Sequence, residues 1–162
     1  MIQKTKIIAE IGINHNGRES TAKKLIMQAK KAGADFVKFQ SFNPELLVTK
    51  KLSLANYQKA KEKKFKTMIE MLKKYQLDEK TQKRLQMYSK KIKIGFLSSP
   101  FEEKSLEFLV KKLKIKIIKI PSGEITNYPL LKKIGKTKKK IILSTGMSSL
   151  KEIKNALSVL FL

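Results

Sequence analysis

Two lysines stand inside runs that are otherwise apolar: Lys38 in Asp35–Gln40 and Lys119 in Ile117–Ile120. An ammonium in such a place either snorkels along apolar surface or is aimed at an anion, and a pair of them favours the anion. Their neighbours suit the same ligand. Ser122, Gly123, Ser144, Thr145 and Gly146 offer hydroxyls and unhindered backbone N–H groups, the donors that phosphate and carboxylate accept. Gln40 closes the second run. Glu10 and Glu124 end the first and fourth, placed either for general acid–base work or for ion pairs with strand-end lysines. His15 is the single histidine and cysteine is absent, so a cysteine-based zinc site or disulfide framework is excluded. One imidazole alone points to a loop hydrogen bond rather than to a metal ligand.

The elements that must position these groups repeat. Five short apolar runs, Ile7–Ile11, Asp35–Gln40, Gly95–Ser98, Ile117–Ile120 and Ile141–Ser144, are each followed by a helix-like stretch. The runs are continuous rather than alternating, as parallel strands buried on both faces are. Ala22, Leu25, Ile26, Ala29 and Ala32 recur at helical spacing before Gly33, a helix stop. Asp78 is an N-cap candidate for a helix carrying Leu85, Tyr88 and Ile92. Ser149-Leu150-Lys151-Glu152 reads as a capping box opening the last helix. The connection from Ser41 to about Lys93 is the long exception, and connections of that length are usually functional or disordered.

Strand–helix alternation implies an α/β fold with a parallel sheet and right-handed crossovers. Two architectures fit. One is a partial TIM (β/α)8 barrel of about five βα units, the complete barrel taking about 250 residues. The other is a five-stranded doubly wound sheet, complete at this length. The apolar ending Val159-Leu160-Phe161-Leu162 resembles a chain cut inside a helix, which favours the barrel. In either architecture the working face is the C-terminal end of the strands.

Composition narrows the partners. The chain has 162 residues and is 41% hydrophobic, too apolar for disorder. No run approaches the ~18 apolar residues of a membrane span, and the start is too short for a signal-peptide core, so a cytoplasmic protein is expected. The charge is +24, from 37 basic and 13 acidic residues. Only Arg18 and Arg84 are arginines, aromatics are 7% and tryptophan is absent. Nucleic-acid readers lean on arginine forks and aromatic platforms, so neither nucleic acid nor membrane is the expected partner. The lysines read as solvated outer helix faces that steer small anions inward.

Five motifs in order carry a resemblance over about Ile7 to Ala156. They are Glu10-Ile11-Gly12-Ile13-Asn14-His15-Asn16-Gly17, Lys38-Phe39-Gln40, Ser98-Ser99-Pro100-Phe101, Lys119-Ile120-Pro121-Ser122-Gly123-Glu124 and Ser144-Thr145-Gly146-Met147, with Asn127-Tyr128-Pro129-Leu130 extending the fourth. Together they resemble the sialic acid (N-acetylneuraminate) synthase family. The resemblance implies a (β/α)8 barrel that condenses phosphoenolpyruvate with an N-acylated hexosamine of the N-acetylmannosamine type. The products are a nine-carbon 2-keto sugar acid and phosphate, for surface carbohydrate biosynthesis. Legionaminic- and pseudaminic-type ulosonic acids are equally implied as products. Residue by residue, the resemblance implies that Lys38, Lys119, Ser122 and Ser144 hold phosphoenolpyruvate and that Gln40 faces the sugar or a metal-bound water. Glu10 and Glu124 would move protons at the aldehyde and C2. It further implies a divalent metal, manganese or magnesium, and a homodimer in the full-length family.

Three departures accompany it. The family's metal-binding histidines come from later strands, and its C-terminal antifreeze-like domain lies further on. Residues 1–162 are therefore expected to be the N-terminal part of the barrel domain, inactive alone and self-associating as salt rises. The third departure is Lys61, in Tyr57-Gln58-Lys59-Ala60-Lys61, where relatives tend to place a phosphate-contacting Asn.

Overall fold

The computed structural model describes residues 5–49, 52–54 and 65–162. The Tyr57–Lys61 segment lies outside them. The five apolar runs all form strands: β1 (Ile8–Gly12), β2 (Phe36–Ser41), β3 (Gly95–Pro100), β4 (Ile117–Ile120) and β5 (Lys140–Leu143). All pair in parallel. The chain is α/β, as expected. β2 lies between β1 and β3, and β4 pairs with β5. A doubly wound sheet would set β1 either between β2 and β3 or beside β4, whereas here β2 lies between β1 and β3 and β4 runs beside β3, which corrects that alternative. β3 runs beside β4, but no ladder joins them.

The helices among the described residues are α1 (Glu19–Lys31), α2 (Pro44–Leu47), α3 (Met68–Tyr75), α4 (Glu79–Lys91), α5 (Glu103–Glu107), α6 (Tyr128–Lys136) and α7 (Leu150–Leu160). α5 runs into a π-helical turn over Phe108–Lys112. The expected caps form: Asp78 accepts from the Thr81 amide at 2.6 Å, and Ser149 and Glu152 close a capping box. Thr67 and Glu70 form a second box on α3. The described part of the long connection is thus mostly helical, carrying α2, α3 and α4.

α1 ends in a Schellman motif, with the Gly33 N–H on the Lys30 carbonyl, the Ala34 N–H on the Ala29 carbonyl, and Gly33 at φ +84°. α4 ends in the same motif, through Lys93 to Lys90 and Ile94 to Ser89, but there the left-handed residue is Lys93 at φ +58°. These stops turn each helix directly into the next strand.

Strand side chains alternate between faces. Val37 and Phe39 of β2 pack under α1 and α4 with Ile26, Leu85 and Ile94. Ile118 and Ile120 of β4 pack under the later helices with Leu109, Leu131, Ile134 and Ala156. Alternation then turns Lys38 and Lys119 to the face away from the helices. The two cores are separate clusters, and Phe96 of β3 packs against both.

Candidate active site

Lys38 is buried by its strand neighbours, and burying a charge is costly unless it is paired. Its partner is Glu10, directly across the β1–β2 ladder, with Oε2 2.7 Å from the Lys38 Nζ. Lys38 also donates to Ser99 Oγ at 3.4 Å. Glu10 itself stays half exposed, so the pair faces an accessible surface.

A bulge shapes this corner. The β1–β2 register slips between Glu10 and Gly12, and Gly12 sits at φ +53°, a conformation glycine adopts without steric cost. A Cβ at Gly12 would lie 3.3 Å from Glu10 Oε1 and 3.8 Å from Gln40 Nε2. Gly12 therefore leaves the space into which Glu10 and Gln40 project.

Lys119 is partly buried and donates to the Ile120 carbonyl at 3.1 Å and to Ser144 Oγ just beyond β5. Burial holds its ammonium below the ordinary lysine pKa; the Lys38 charge depresses it further, while Glu10 opposes that shift. Lys38, Glu10 and Lys119 thus share one electrostatic neighbourhood. Ser122 lies beside Gly146, two residues past Ser144: a Cβ on Gly146 would touch its Oγ at 3.5 Å. Ser122, Gly123, Gly146 and Ser148 line a small cleft beyond β4 and β5.

The structure therefore joins Glu10, Lys38 and Gln40 on one side, and Lys119 and Ser144 on the other, at the C-terminal ends of the strands. Glu124 is turned to a local partner. Its Oε2 accepts from Asn127 Nδ2 at 2.7 Å, and Asn127 Oδ1 caps α6 by accepting from the Leu130 amide. His15 is withdrawn into the core. Its Nδ1 accepts from the Gly17 N–H at 3.0 Å, and its ring stacks on Phe39 at 5.9 Å. Burial lowers its pKa, with a hydrogen bond to the Gly12 backbone pulling the other way.

Ser99 joins this cluster through Lys38, although the motifs assign it no role. Its face follows only from the β2–β3 register, which sets it opposite Gln40. Among the described residues no three His, Asp or Glu side chains come together to hold a metal ion. No helix among them is long and apolar enough to cross a membrane.

The described geometry has relatives. The chain is 52% identical over 159 residues to N,N'-diacetyllegionaminic acid synthase of Campylobacter jejuni, covering 98% of this chain and 47% of that protein. It is 37% identical to N-acetylneuraminate-9-phosphate synthase of Drosophila melanogaster, covering 95% of this chain and 41% of that protein. The crystal structure of N-acetylneuraminic acid synthetase from Leptospira borgpetersenii superposes with a TM-score of 0.83 at 30% identity, over 98% of this chain and 50% of that one. A DAHP synthase from Thermotoga maritima, at 16% identity and a TM-score of 0.65, shares the fold. The chain spans about half the length of the relatives it matches. The NeuB family model matches residues 25–161, and the chain belongs to the NeuB family.

Proposed function

We propose that this chain supplies the phosphoenolpyruvate half of the site of a synthase that condenses phosphoenolpyruvate with an N-acylated hexosamine. In this reading residues 1–162 are the first five units of a (β/α)8 barrel. The observation that carries it is that Lys38 and Lys119 stand in otherwise apolar strands within one electrostatic neighbourhood, Glu10 paired with Lys38 at 2.7 Å and its charge felt at Lys119. Two ammonium groups in one neighbourhood repel, and a dianion between them relieves the repulsion.

The proposed roles follow from placement. Lys38 and Lys119 bind the phosphate and carboxylate, and the hydroxyls of Ser122 and Ser144 add donors on the β4–β5 side. Gln40 faces the sugar. The enol carbon attacks the sugar aldehyde, water adds at C2, and phosphate leaves with its bridging oxygen, giving the 2-keto acid. Glu10, half exposed beside Lys38, is placed to take or return a proton there. Glu124 serves the opposite side from the α6 cap, where Asn127 orients it. Two relatives named N,N'-diacetyllegionaminic acid synthase, at 52% and 44% identity, favour a diacetylated product over N-acetylneuraminate.

The divalent metal that the resemblance implies does not fit this chain's described residues. His15 is buried on Phe39 with its Nδ1 engaged, and among those residues no further His, Asp or Glu set gathers at the mouth. The expected cytoplasmic setting and homodimer belong to the same proposal.

Calorimetric titration with phosphoenolpyruvate tests the reading. Hydrogen bonds to charged groups are worth about 1.5–3 kcal/mol, so Lys38→Ala and Lys119→Ala should each weaken binding by about tenfold or more. Equal binding by wild type and the double variant would refute the assignment.

A further inference from the structure

On the helix side of the sheet, behind the mouth, lies a hydrogen-bond chain that the proposed chemistry does not use. Ser41 Oγ is 2.6 Å from Gln82 Oε1 and 2.7 Å from Ser98 Oγ, and Gln82 Nε2 donates to the Leu77 carbonyl at 3.1 Å. Ser41, Gln82 and Ser98 are 1%, 3% and 0% exposed. The direction of the chain follows from what each group can do. A backbone carbonyl only accepts, so the Gln82 amide nitrogen faces Leu77 and its oxygen faces Ser41. Ser41 gives its one proton to that oxygen, which leaves Ser98 to donate to Ser41.

The same two strand segments carry the anion site on their other face. Ser41 follows Gln40, Ser98 precedes Ser99, and Gln40 is level with Ser99 in the ladder. Ser99 accepts from Lys38. Because side chains alternate, a clamp on Ser41 and Ser98 from outside sets the spacing of Gln40, Ser99 and Lys38 inside.

We infer that Gln82, reaching in from α4, is a positioning residue for Lys38 and Gln40 at the phosphoenolpyruvate site. The inference rests on the function proposed above. Gln82→Met keeps the apolar stem and approximate volume but removes the acceptor, so the Ser41 hydroxyl loses the end of its chain. Ser41 and Ser98 then bond only to each other, and β2 keeps its ladder to β3 but loses the outer clamp that fixes its end.

The experiment titrates phosphoenolpyruvate into the 162-residue chain by calorimetry, with wild type and Lys38→Ala alongside. Gln82→Met is expected to bind about fivefold more weakly, the usual effect of one hydrogen bond. Ile94→Val thins the same core without touching the chain of hydroxyls, and is expected to lower the unfolding midpoint while leaving affinity unchanged. Gln82→Glu adds a readout that a packing defect would not move. Only its protonated carboxyl can both accept from Ser41 and donate to Leu77, so its affinity relative to wild type should recover as pH falls and decline as pH rises.

Three results would overturn the inference: Gln82→Met binding like wild type, Ile94→Val weakening binding as much, or Gln82→Glu following the wild-type pH profile. If wild type binds and Lys38→Ala does not differ from it, the proposed function fails and takes the inference with it; if Lys38→Ala weakens binding and Gln82→Met does not, the inference alone fails. If wild type does not bind at all, the two fall together.

Discussion

At the scale of single residues, the described part of the chain separates polar groups that are satisfied from one that is not. Ser41, Ser98 and Gln82 complete one another, whereas Ser89 of α4 is fully buried with no hydrogen-bond partner for its Oγ. A buried hydroxyl without a partner costs roughly 1–3 kcal/mol, and alanine is the better helix former. Ser89→Ala should therefore stabilise the chain by about 1 kcal/mol, read as a higher urea midpoint at unchanged slope. Lys38 and Lys119 are legible in the sequence alone, because a cation in an apolar run is conspicuous whatever the fold. Ser98 and Ser99 are not. Adjacent serines on a strand face opposite sides, and only the partner strand decides which one meets Lys38. Glu124 shows the converse. Its place after a strand suggests the mouth, but Asn127 three residues on engages it locally.

At the scale of elements, helix ends explain what sequence patterns reveal and what they hide. Gly33 announces the end of α1 because glycine is the usual left-handed stop. Lys93 performs the same task on α4 with a side chain that is strained in that conformation, and nothing in its type signals the stop. Lys93→Gly should relieve that strain, which outweighs the extra freedom glycine has when unfolded, for a net gain of about 0.5–1 kcal/mol in denaturant unfolding. The same two helices are clasped through Glu19. Its Oε2 accepts from Arg84 Nε at 2.9 Å and Nη2 at 2.6 Å, and Lys23 lies 2.8 Å from Oε1. Arg84, with Lys23 second, holds the Glu19 pKa down to about 2 from an ordinary 4.5. The native state thus binds fewer protons than the unfolded chain between those values. Its contribution is complete above about pH 4.5 and is lost as pH falls toward about 2. Glu19→Gln should accordingly be less stable than wild type near pH 6, with the difference shrinking through pH 3. An equal gap at both values would show that the clasp contributes nothing through its charge.

At the scale of the whole molecule, strand–helix alternation is enough to establish parallel α/β architecture, because buried parallel strands leave continuous apolar runs. It cannot order the strands, since both candidate architectures contain the same five units. The pairing of β2 with both neighbours, together with β3 lying beside β4, resolves that order. The division between β3 and β4 has a dynamic consequence. Three strands share one core and two share another, with Phe96 touching both, so the molecule should open as two cooperative units rather than one. Lys38 belongs to the first unit and Lys119 to the second, so phosphoenolpyruvate held by both, as proposed, would act as a staple across the division. Amide hydrogen exchange should then slow in both units together when phosphoenolpyruvate is added, most of all along the facing edges of β3 and β4. In Lys119→Ala that shared protection should shrink to β1–β3. Recognition of the substrate and cohesion of the fold would in that case be one equilibrium, measured from two ends.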